Sequence, residues 1–472
     1  MIDTQAIRSK ILDVAMRGQL TEQHAEDGTA EELYQQIQIE KQSLIDGGQI
    51  KKEKPLPDIT AEMVPFTIPQ SWKWVYLGEL FQHNTGKALN ASDTQGQLLE
   101  YITTSNLYWD HFELDELKTM PFTESEIEKC TVKKGDLLVC EGGDIGRSAI
   151  WPYDYDMRIQ NHIHRLRKYS DSVCTEFYYY LLWLYKQTGR INGIGIGLQG
   201  FSSKRVHSLV VPLVPYNEAI RVVEIIKQAF SDLDVVDELQ EQYTDNLSSL
   251  KNKLIDSAIQ GKLTEQLPED GTAEELYQQI QREKQELVRA GKIKKDKPLP
   301  EITEEEIPFD IPNNWKMCRL GSVIALVSGT DYKPEEYNDE NRGTPYITGA
   351  SNLLPDGVLI NRWTETPRCI ANTGDVLLVC KGSGYGKVAM CDVEEAHIAR
   401  QIMAVKKTDL LNMRYILYFL TANFAYLKGK GQGLIPGVDR NSVLSMIFPL
   451  PPLKEQNRIV DKLDELTGII EA

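Results

Sequence analysis

The amino-acid sequence predicts an α+β fold class: two globular mixed α/β domains joined by long helices that form an antiparallel coiled coil. Three features predict it. One segment is duplicated almost verbatim, glycine-bounded apolar strands stand at matching places in both halves, and two long runs carry apolar residues at helical spacing.

The duplication sets the architecture. Residues 18–78 realign on residues 261–321 at a constant offset of 243, with about 41 of 61 positions identical. No solenoid has so long a period, so the chain is a duplicated half-protein. Beyond Gly78 the identity fades while landmarks persist: ITTSNL at 102–107 against ITGASNL at 347–353, and GDLLVC at 135–140 against GDVLLVC at 374–380. A glycine-bearing turn follows each apolar strand, GGDIGR at 142–147 and GSGYGK at 382–387, and leads into another short apolar stretch. That pattern is strand, turn, strand.

The helices follow from a third alignment. Residues 212–234 realign on 449–471, and residues 10–20 on 253–263, so the two chain ends together make one spacer. The continuous copy spans 216–260; the split copy is 453–472 plus 1–17. Ile459, Leu463, Leu466 and Ile470 recur at spacings of three and four, as do Tyr243, Leu247, Leu250 and Leu254. A helix of about 45 residues is roughly 66 Å long, more than one small domain can bury. Pairing with the split copy in a coiled coil solves this economically; the alternative is that each helix packs on its own globular domain.

Length and composition agree. A chain of 472 residues exceeds one ordinary core, and 41% hydrophobic with 26% charged residues is a globular balance. The opening MIDTQAIRSK lacks a secretory apolar run, and the apolar stretch 177–185 is short of the roughly 18 residues that cross a bilayer, so a cytoplasmic location is expected. The seven cysteines show no C-x-x-C pair and are expected to be reduced and mostly buried; the seven histidines do not fall at zinc-ligand spacing. The formal charge of −17 lies mostly outside the globular parts. Residues 65–215 hold about 15 Lys and Arg against 17 Asp and Glu, and residues 305–452 about 15 against 16, which leaves room for a local basic face on each.

Catalytic and cofactor motifs are not matched. The runs GGDIG and GIGIG lack the G-x-G-x-x-G pattern opening a long helix, and no G-x-x-x-x-G-K-[ST] occurs, so no nucleotide cofactor is expected in this chain. The Pro-Pro pair, Pro451 and Pro452, is flanked by leucine rather than set in an Asn/Asp-Pro-Pro-aromatic methyltransferase loop. Pro57-Asp58 lies far from Glu116-Leu-Lys118, too far for a nuclease metal set. The chain is therefore expected not to be an enzyme by itself.

The order of globular domain, long helix, second globular domain and split helix resembles the specificity subunits of type I restriction-modification systems. The resemblance covers essentially the whole chain. It is carried by the helix-opening run PLPPLKEQNRIV that contains Arg458, by the KGDLLV and TGDVLLV strands, and by Trp72-Lys and Trp315-Lys, which open each variable region. One departure is Tyr216-Asn-Glu-Ala, standing where Leu453-Lys-Glu-Gln stands in the second copy. The resemblance implies target-recognition domains at 65–215 and 308–452, conserved helical linkers at 18–64 and 261–307, a central spacer at 216–260, and spacer ends at 1–17 and 453–472. It further implies a non-catalytic chain that reads two half-sites of double-stranded DNA. Two methyltransferase subunits would dock on the helical parts and a restriction-translocase subunit would join them, with S-adenosylmethionine, ATP and Mg on those partners. Alternatives of the same outline are the recognition subunit of another bipartite restriction system and a duplicated protein-interaction scaffold.

Readers of DNA need Arg, Lys, Asn, Gln or hydroxyl donors on loops. In the first copy the candidates are Arg147 on its turn with Gln160, Asn161 and His162, and the glycine-rich loop ending in Gln199, Ser202, Ser203, Lys204 and Arg205. The second copy offers Lys381 and Lys387 with Arg400 and Gln401, and the loop carrying Lys428, Lys430, Gln432, Arg440 and Asn441. Glycine lets backbone approach a phosphate closely, and the adjacent cations supply charge.

Overall fold

The computed structural model describes residues 1–90, 94–191, 200–294, 297–382, 384–423 and 437–471. The chain divides into two units, Met1–Glu241 and Gln242–Ala472.

In the first unit, Asp3 caps helix α1 (Thr4–Met16) by accepting from the Ala6 amide at 2.9 Å. Its buried face, Thr4, Arg8, Leu12, Ala15 and Met16, repeats at three and four residues. Helix α2 (Ala30–Asp46) starts in a capping box in which Thr29 and Glu32 satisfy each other's amides. Strand β1 (Lys73–Tyr76) and the short helix α3 (Leu77–Leu80) lead into a domain of two four-stranded sheets. The sheets use β2 (Phe81–Thr85), β3 (Gln97–Ile102), β4 (Lys118–Phe122), β5 (Thr131–Val132), β6 (Leu137–Cys140), β7 (Ser148–Ile150), β8 (Met157–Ile159) and β9 (Ile163–Lys168), with helix α4 (Glu124–Cys130) before β5. One sheet runs β2-β9-β6-β7, antiparallel throughout; the other runs β4-β3-β8-β5 with β3 and β8 parallel.

Leu137 and Val139 of β6 face one core and Leu138 and Cys140 face another, the period-two alternation of a strand buried on both sides. Helix α5 (Thr175–Gln187) covers the first of these cores with Phe177, Tyr178, Leu181 and Leu182. After α6 (Ser203–His207), strand β10 (Val210–Leu213) closes antiparallel on β1. Helix α7 (Tyr216–Ile259) follows, 44 residues long.

The second unit repeats the plan. It contains α8 (Ala273–Arg289), β11 (Lys316–Arg319), α9 (Leu320–Val323), β12 (Leu326–Ser328), β13 (Thr344–Ile347), a hairpin of β14 (Leu353–Leu354) and β15 (Gly357–Val358), β16 (Trp363–Thr364), β17 (Ile370–Asn372), β18 (Val376–Val379), β19 (Val388–Met390), β20 (Glu395–Ile398) and β21 (Ile402–Val405). Helices α10 (Met413–Ala422) and α11 (Arg440–Leu444), strand β22 (Ile447–Leu450) and helix α12 (Leu453–Glu471) complete it. The sheet orders are β12-β21-β18-β19 and β16-β13-β20-β17, with β13 and β20 parallel and β11 paired to β22.

The split spacer has a physical counterpart in each unit. In the first, α1 lies antiparallel on the start of α7: Thr4 Oγ1 donates to Asp237 at 2.6 Å and Arg8 to Asp234 at 2.6 Å, while Thr21 reaches back to Glu218 at 3.4 Å. In the second, Ile255, Ala258 and Ile259 at the end of α7 share a core with Ile459, Val460 and Leu463 of α12. These helices also pack on their own globular cores, since Val222, Val223 and Ile226 join Phe177 and Leu181. Each end of α7 therefore touches a helix of the split copy and a globular core. The Tyr243–Leu247–Leu250–Leu254 seam is packed on the core only at Leu254; Tyr243 and Leu250 are exposed.

All seven cysteines are free thiols, six of them buried. Burial pushes the thiols of Cys140, Cys174 and Cys391 up to about 11 and that of Cys318 to about 12, away from thiolate reactivity. No helix among the described residues is long and apolar enough to cross a membrane.

Candidate nucleic-acid interface

At the end of β6 the backbone of Glu141 gathers three stretches distant in sequence. Its amide donates to His162 O at 2.9 Å, and its carbonyl accepts from the Phe201 amide at 2.8 Å. The turn at 142–147 closes just beyond, with the Cys140 amide donating to Arg147 O at 2.8 Å and the Gly146 amide to Cys140 O at 3.0 Å. Gly146 has φ of +81°, and a Cβ there would stand 2.7 Å from Ile191, so the turn requires glycine.

The second unit builds the same cluster. The Cys380 amide donates to Gln401 O at 2.7 Å, the Val438 amide to Cys380 O at 2.8 Å, and the Val379 amide to Lys387 O at 2.8 Å. Strand register makes Arg147 the counterpart of Lys387, Asn161 of Arg400, and His162 of Gln401. The described parts of the two candidate regions in each copy thus meet at one sheet end, held by backbone bonds that are independent of side-chain identity.

The individual side chains differ in how available they are. His162 is exposed with Nδ1 3.7 Å from the Glu141 carboxylate, whereas Gln160 and Asn161 are half-buried beside it. Ser202 and Lys204 are exposed, Ser203 is half-buried, and Arg205 stacks on the Phe201 ring at 5.5 Å. Arg400 and Gln401 are exposed, and Asp331 steadies Arg400 through its amide at 3.0 Å and its Nε at 3.1 Å. Lys381 and Asn441 are exposed, while Arg440 donates to Leu326 O at 2.6 Å. Gln199, Lys428, Lys430 and Gln432 lie outside the described residues.

Arg147 is turned to an internal task. Its Nη2 donates to Thr104 O and its guanidinium lies 4.9 Å above the Tyr108 ring. Lys387 does the same more loosely, donating from Nζ to Ala350 O at 3.3 Å. Both latch onto the ITTSNL and ITGASNL turns, where Asn106 and Asn352 accept from Thr103 and Thr348. These turns were visible as shared landmarks, but the spacing of roughly 40 residues between them and the latch carried no signal of contact.

Beneath the first cluster lies a histidine relay. His164 Nε2 is 2.6 Å from Phe201 O, and His83 Nε2 is 2.9 Å from His164 Nδ1. With a carbonyl accepting at Nε2, His164 carries its proton there and Nδ1 accepts from His83. Burial holds His164 below the usual imidazole range and brings His83 down to about 3, so the pair is neutral. At the same registers the second unit has Leu326 and Met403.

A second constant feature anchors each domain to its helix. Trp72 Nε1 donates to the buried carboxylate of Glu218 at 2.9 Å, and Trp315 Nε1 to Glu455 at 2.9 Å. Gln23 and Gln266 donate to the same carboxylates at 2.9 and 3.0 Å. Arg221 clamps Asp27 and Arg458 clamps Asp270, each with a closest contact of 2.6 Å. The shared Glu of Tyr216-Asn-Glu-Ala and Leu453-Lys-Glu-Gln therefore faces inward, and the helix-opening run and the tryptophans are one structural lock. The flanking residues that differ between the copies leave it intact.

Each unit thus carries a constant frame with differing side chains on one loop cluster. Residues 69–247 and 312–472 match the family model described as the type I restriction modification DNA specificity domain, and the chain belongs to that family. It is similar to the type I restriction enzyme EcoAI specificity subunit of Escherichia coli, with 27% identity over 98% of this chain and 88% of the relative. It also resembles the EcoEI specificity subunit of the same species, with 25% identity over 98% and 89%. Among solved structures, a chain from work on complex assembly and conformational transition of the type I R-M system aligns over 86% of this chain and 93% of its own, with 19% identity and a TM-score of 0.59. The HsdS subunit from Thermoanaerobacter tengcongensis aligns over 86% and 92%, with 19% identity and a TM-score of 0.50. Those two likenesses establish the shared fold.

Proposed function

We propose that the chain is the non-catalytic specificity subunit of a type I restriction-modification complex. Each unit reads one half of a bipartite DNA target, and methyltransferase and restriction subunits are recruited to its helical segments. The observation that supports this best is the cluster at the end of β6 and β18. The same backbone bonds through Glu141 and Cys380 present Asn161 and His162 in one copy and Arg400 and Gln401 in the other. Constant scaffolding with exchanged donors is the arrangement that lets two readers of one design recognise different base edges. The near-identical linkers suit two copies of one methyltransferase partner, which would carry S-adenosylmethionine, with ATP and Mg on the restriction subunit. Such a complex would act in the cytoplasm.

Replacing residues 79–211 by the matching region of a related subunit tests this. Methylome sequencing of a host carrying the hybrid should show one half-site changed and the other kept. A change in both half-sites, or in neither, would overturn the reading.

A further inference from the structure

Each unit also holds a basic cavity at the same place in the fold; in the second unit it borders Arg440 and Asn441 of the candidate loop. In the first unit it has a volume of about 740 Å³ and opens between Gln49 and Ile50 after α2, Gln82 and Asn84 on β2, and Lys129 and Thr131 around β5. In the second unit it has about 1040 Å³ and opens between Lys292 and Ile293 after α8, Ala325 and Val327 flanking the start of β12, and Arg368 and Cys369 before β17. The pairing of Thr131 with Arg158 and of Ile370 with His397 makes Lys129 the counterpart of Arg368. The two cavities are therefore repeats of one another.

Their cations are not. The first is lined by Lys129, Lys133, Arg165, Arg167 and Lys168, with Glu128 and Asp156 as the carboxylates. The second is lined by Lys292, Lys294, Lys297, Arg368 and Arg440; among the described lining residues there is no carboxylate, and Glu336 pairs with Arg368 from outside at 2.9 Å. Five cations recur at one location although only the Lys129 and Arg368 positions correspond, in a chain whose net charge is −17. Accidental basic surface does not rebuild itself from different residues in two diverged copies.

Arg165 adds an independent sign. It is 1% exposed, its Nη1 donates to Thr131 O at 2.6 Å and Lys129 O at 3.2 Å, and its Nε has no partner. The neighbouring carboxylate, Asp136, is taken by Arg167 through bonds of 2.8 and 2.6 Å. Arg165 also reaches Gln82 Oε1 at 3.5 Å, yet no carboxylate bonds it directly, so a buried guanidinium faces the cavity short of an anion; the second unit has Ala404 at this register. Burial already brings the pKa of Arg165 down to about 10.

We propose that each unit carries in this cavity an anion site that takes a phosphate group. Guanidinium and ammonium groups at several heights around a cleft match the oxygens of a phosphate. The source is either a phosphate of the DNA backbone or a free phosphate compound. The proposal rests on the DNA-reading function only for the first of these sources.

The full chain is titrated with inorganic phosphate by calorimetry, alongside K129Q/K133Q and K292Q/K294Q, which alter exposed side chains and spare the fold. The unaltered chain should bind phosphate, and each double variant should lose about half of the sites. In parallel, binding to a scrambled duplex is followed against salt. Loss of one backbone contact lowers the slope of log K against log salt by about 0.9. A lower slope in the variants assigns the site to the DNA backbone; lost phosphate binding with an unchanged slope assigns it to a free phosphate. Phosphate binding and slope both unchanged in both variants would overturn the proposal. Failure of the DNA-reading function appears separately, as no preference of the unaltered chain and its partner complex for target over scrambled duplex.

Discussion

The indole N–H of Trp72 donates to the Glu218 carboxylate at 2.9 Å, joining the first residues of the variable domain to the first turn of the long helix 146 positions later. Glu218 is 1% exposed and its other contacts, Gln23 and Thr21, come from the linker after α1. One carboxylate thus ties linker, domain and helix together, and Glu455 repeats this in the second unit.

Removing that carboxylate should be costly. In E218A a buried indole N–H and a glutamine amide lose their acceptor, with an expected destabilisation of about 2–4 kcal/mol. W72F, which keeps an aromatic ring but removes the indole N–H and part of the buried volume, should cost about 2–4 kcal/mol. Urea unfolding followed by tryptophan fluorescence measures both; a change below about 0.5 kcal/mol for E218A would show that the bond contributes little.

The histidine relay makes the first unit acid-sensitive. His83 has a folded pKa of about 3 against an ordinary 6.5, so the unfolded chain takes up its proton first. The stability this neutral pair contributes is complete above about pH 6.5 and is lost as the pH falls toward 3, amounting to roughly 2 kcal/mol by pH 5 for one such histidine. H83L/H164M, which installs the apolar residues of the second unit, should flatten the profile between pH 7 and 5. Unfolding midpoints across that range decide the matter.

The arginine clamps act lower on the pH scale. The Arg221 guanidinium holds Asp27 below the usual carboxylate range, and Arg458 does the same to Asp270. A depressed folded pKa contributes stability above the unfolded value near 3.8 and loses it as pH falls through the folded one. D27N and D270N should lower stability at pH 7 and lose less than the parent between pH 4 and 2. Equal losses in parent and variants would remove the clamps from the acid response.

The turn clusters should act one half-site at a time. R400A or Q401A is expected to relax one base position by about 1–3 kcal/mol of discrimination, leaving the half-site read by the first unit unchanged. N161A and H162A should have the reciprocal effect. R147M should instead loosen the latch to Thr104, seen as faster amide exchange across residues 103–106 and 142–147, and weaken binding without a new base preference. Methylome sequencing and hydrogen exchange distinguish the two behaviours.

Much of the plan was legible in the residues. The offset of 243 revealed the duplication, and the GDLLVC and GDVLLVC runs marked β6 and β18, because a strand buried on both faces needs a continuous apolar stretch. The glycines at 142–147 marked a turn that only positive φ can close. Composition nominated the candidate loops but not their convergence, because Glu141 meets His162 and Phe201 through backbone atoms that every residue has. Arg147 looked like a free cation for the same reason: its acceptor is a carbonyl 43 positions away.

By itself the sequence determined the repeat, the split spacer, the alternation of strand and turn, and the resemblance that led to the family, since these depend on local periodicity and self-similarity. Tertiary structure alone decided which polar residues face inward. Glu218 and Glu455 sit in helix-opening runs that read as surface, and they are buried because a tryptophan more than a hundred positions earlier in the chain needs an acceptor. It also decided that two sets of cations, corresponding only at Lys129 and Arg368, would line one cavity twice. Charge placement in space depends on which strands become neighbours, and strand neighbours are chosen by long-range packing rather than by the order of residues along the chain.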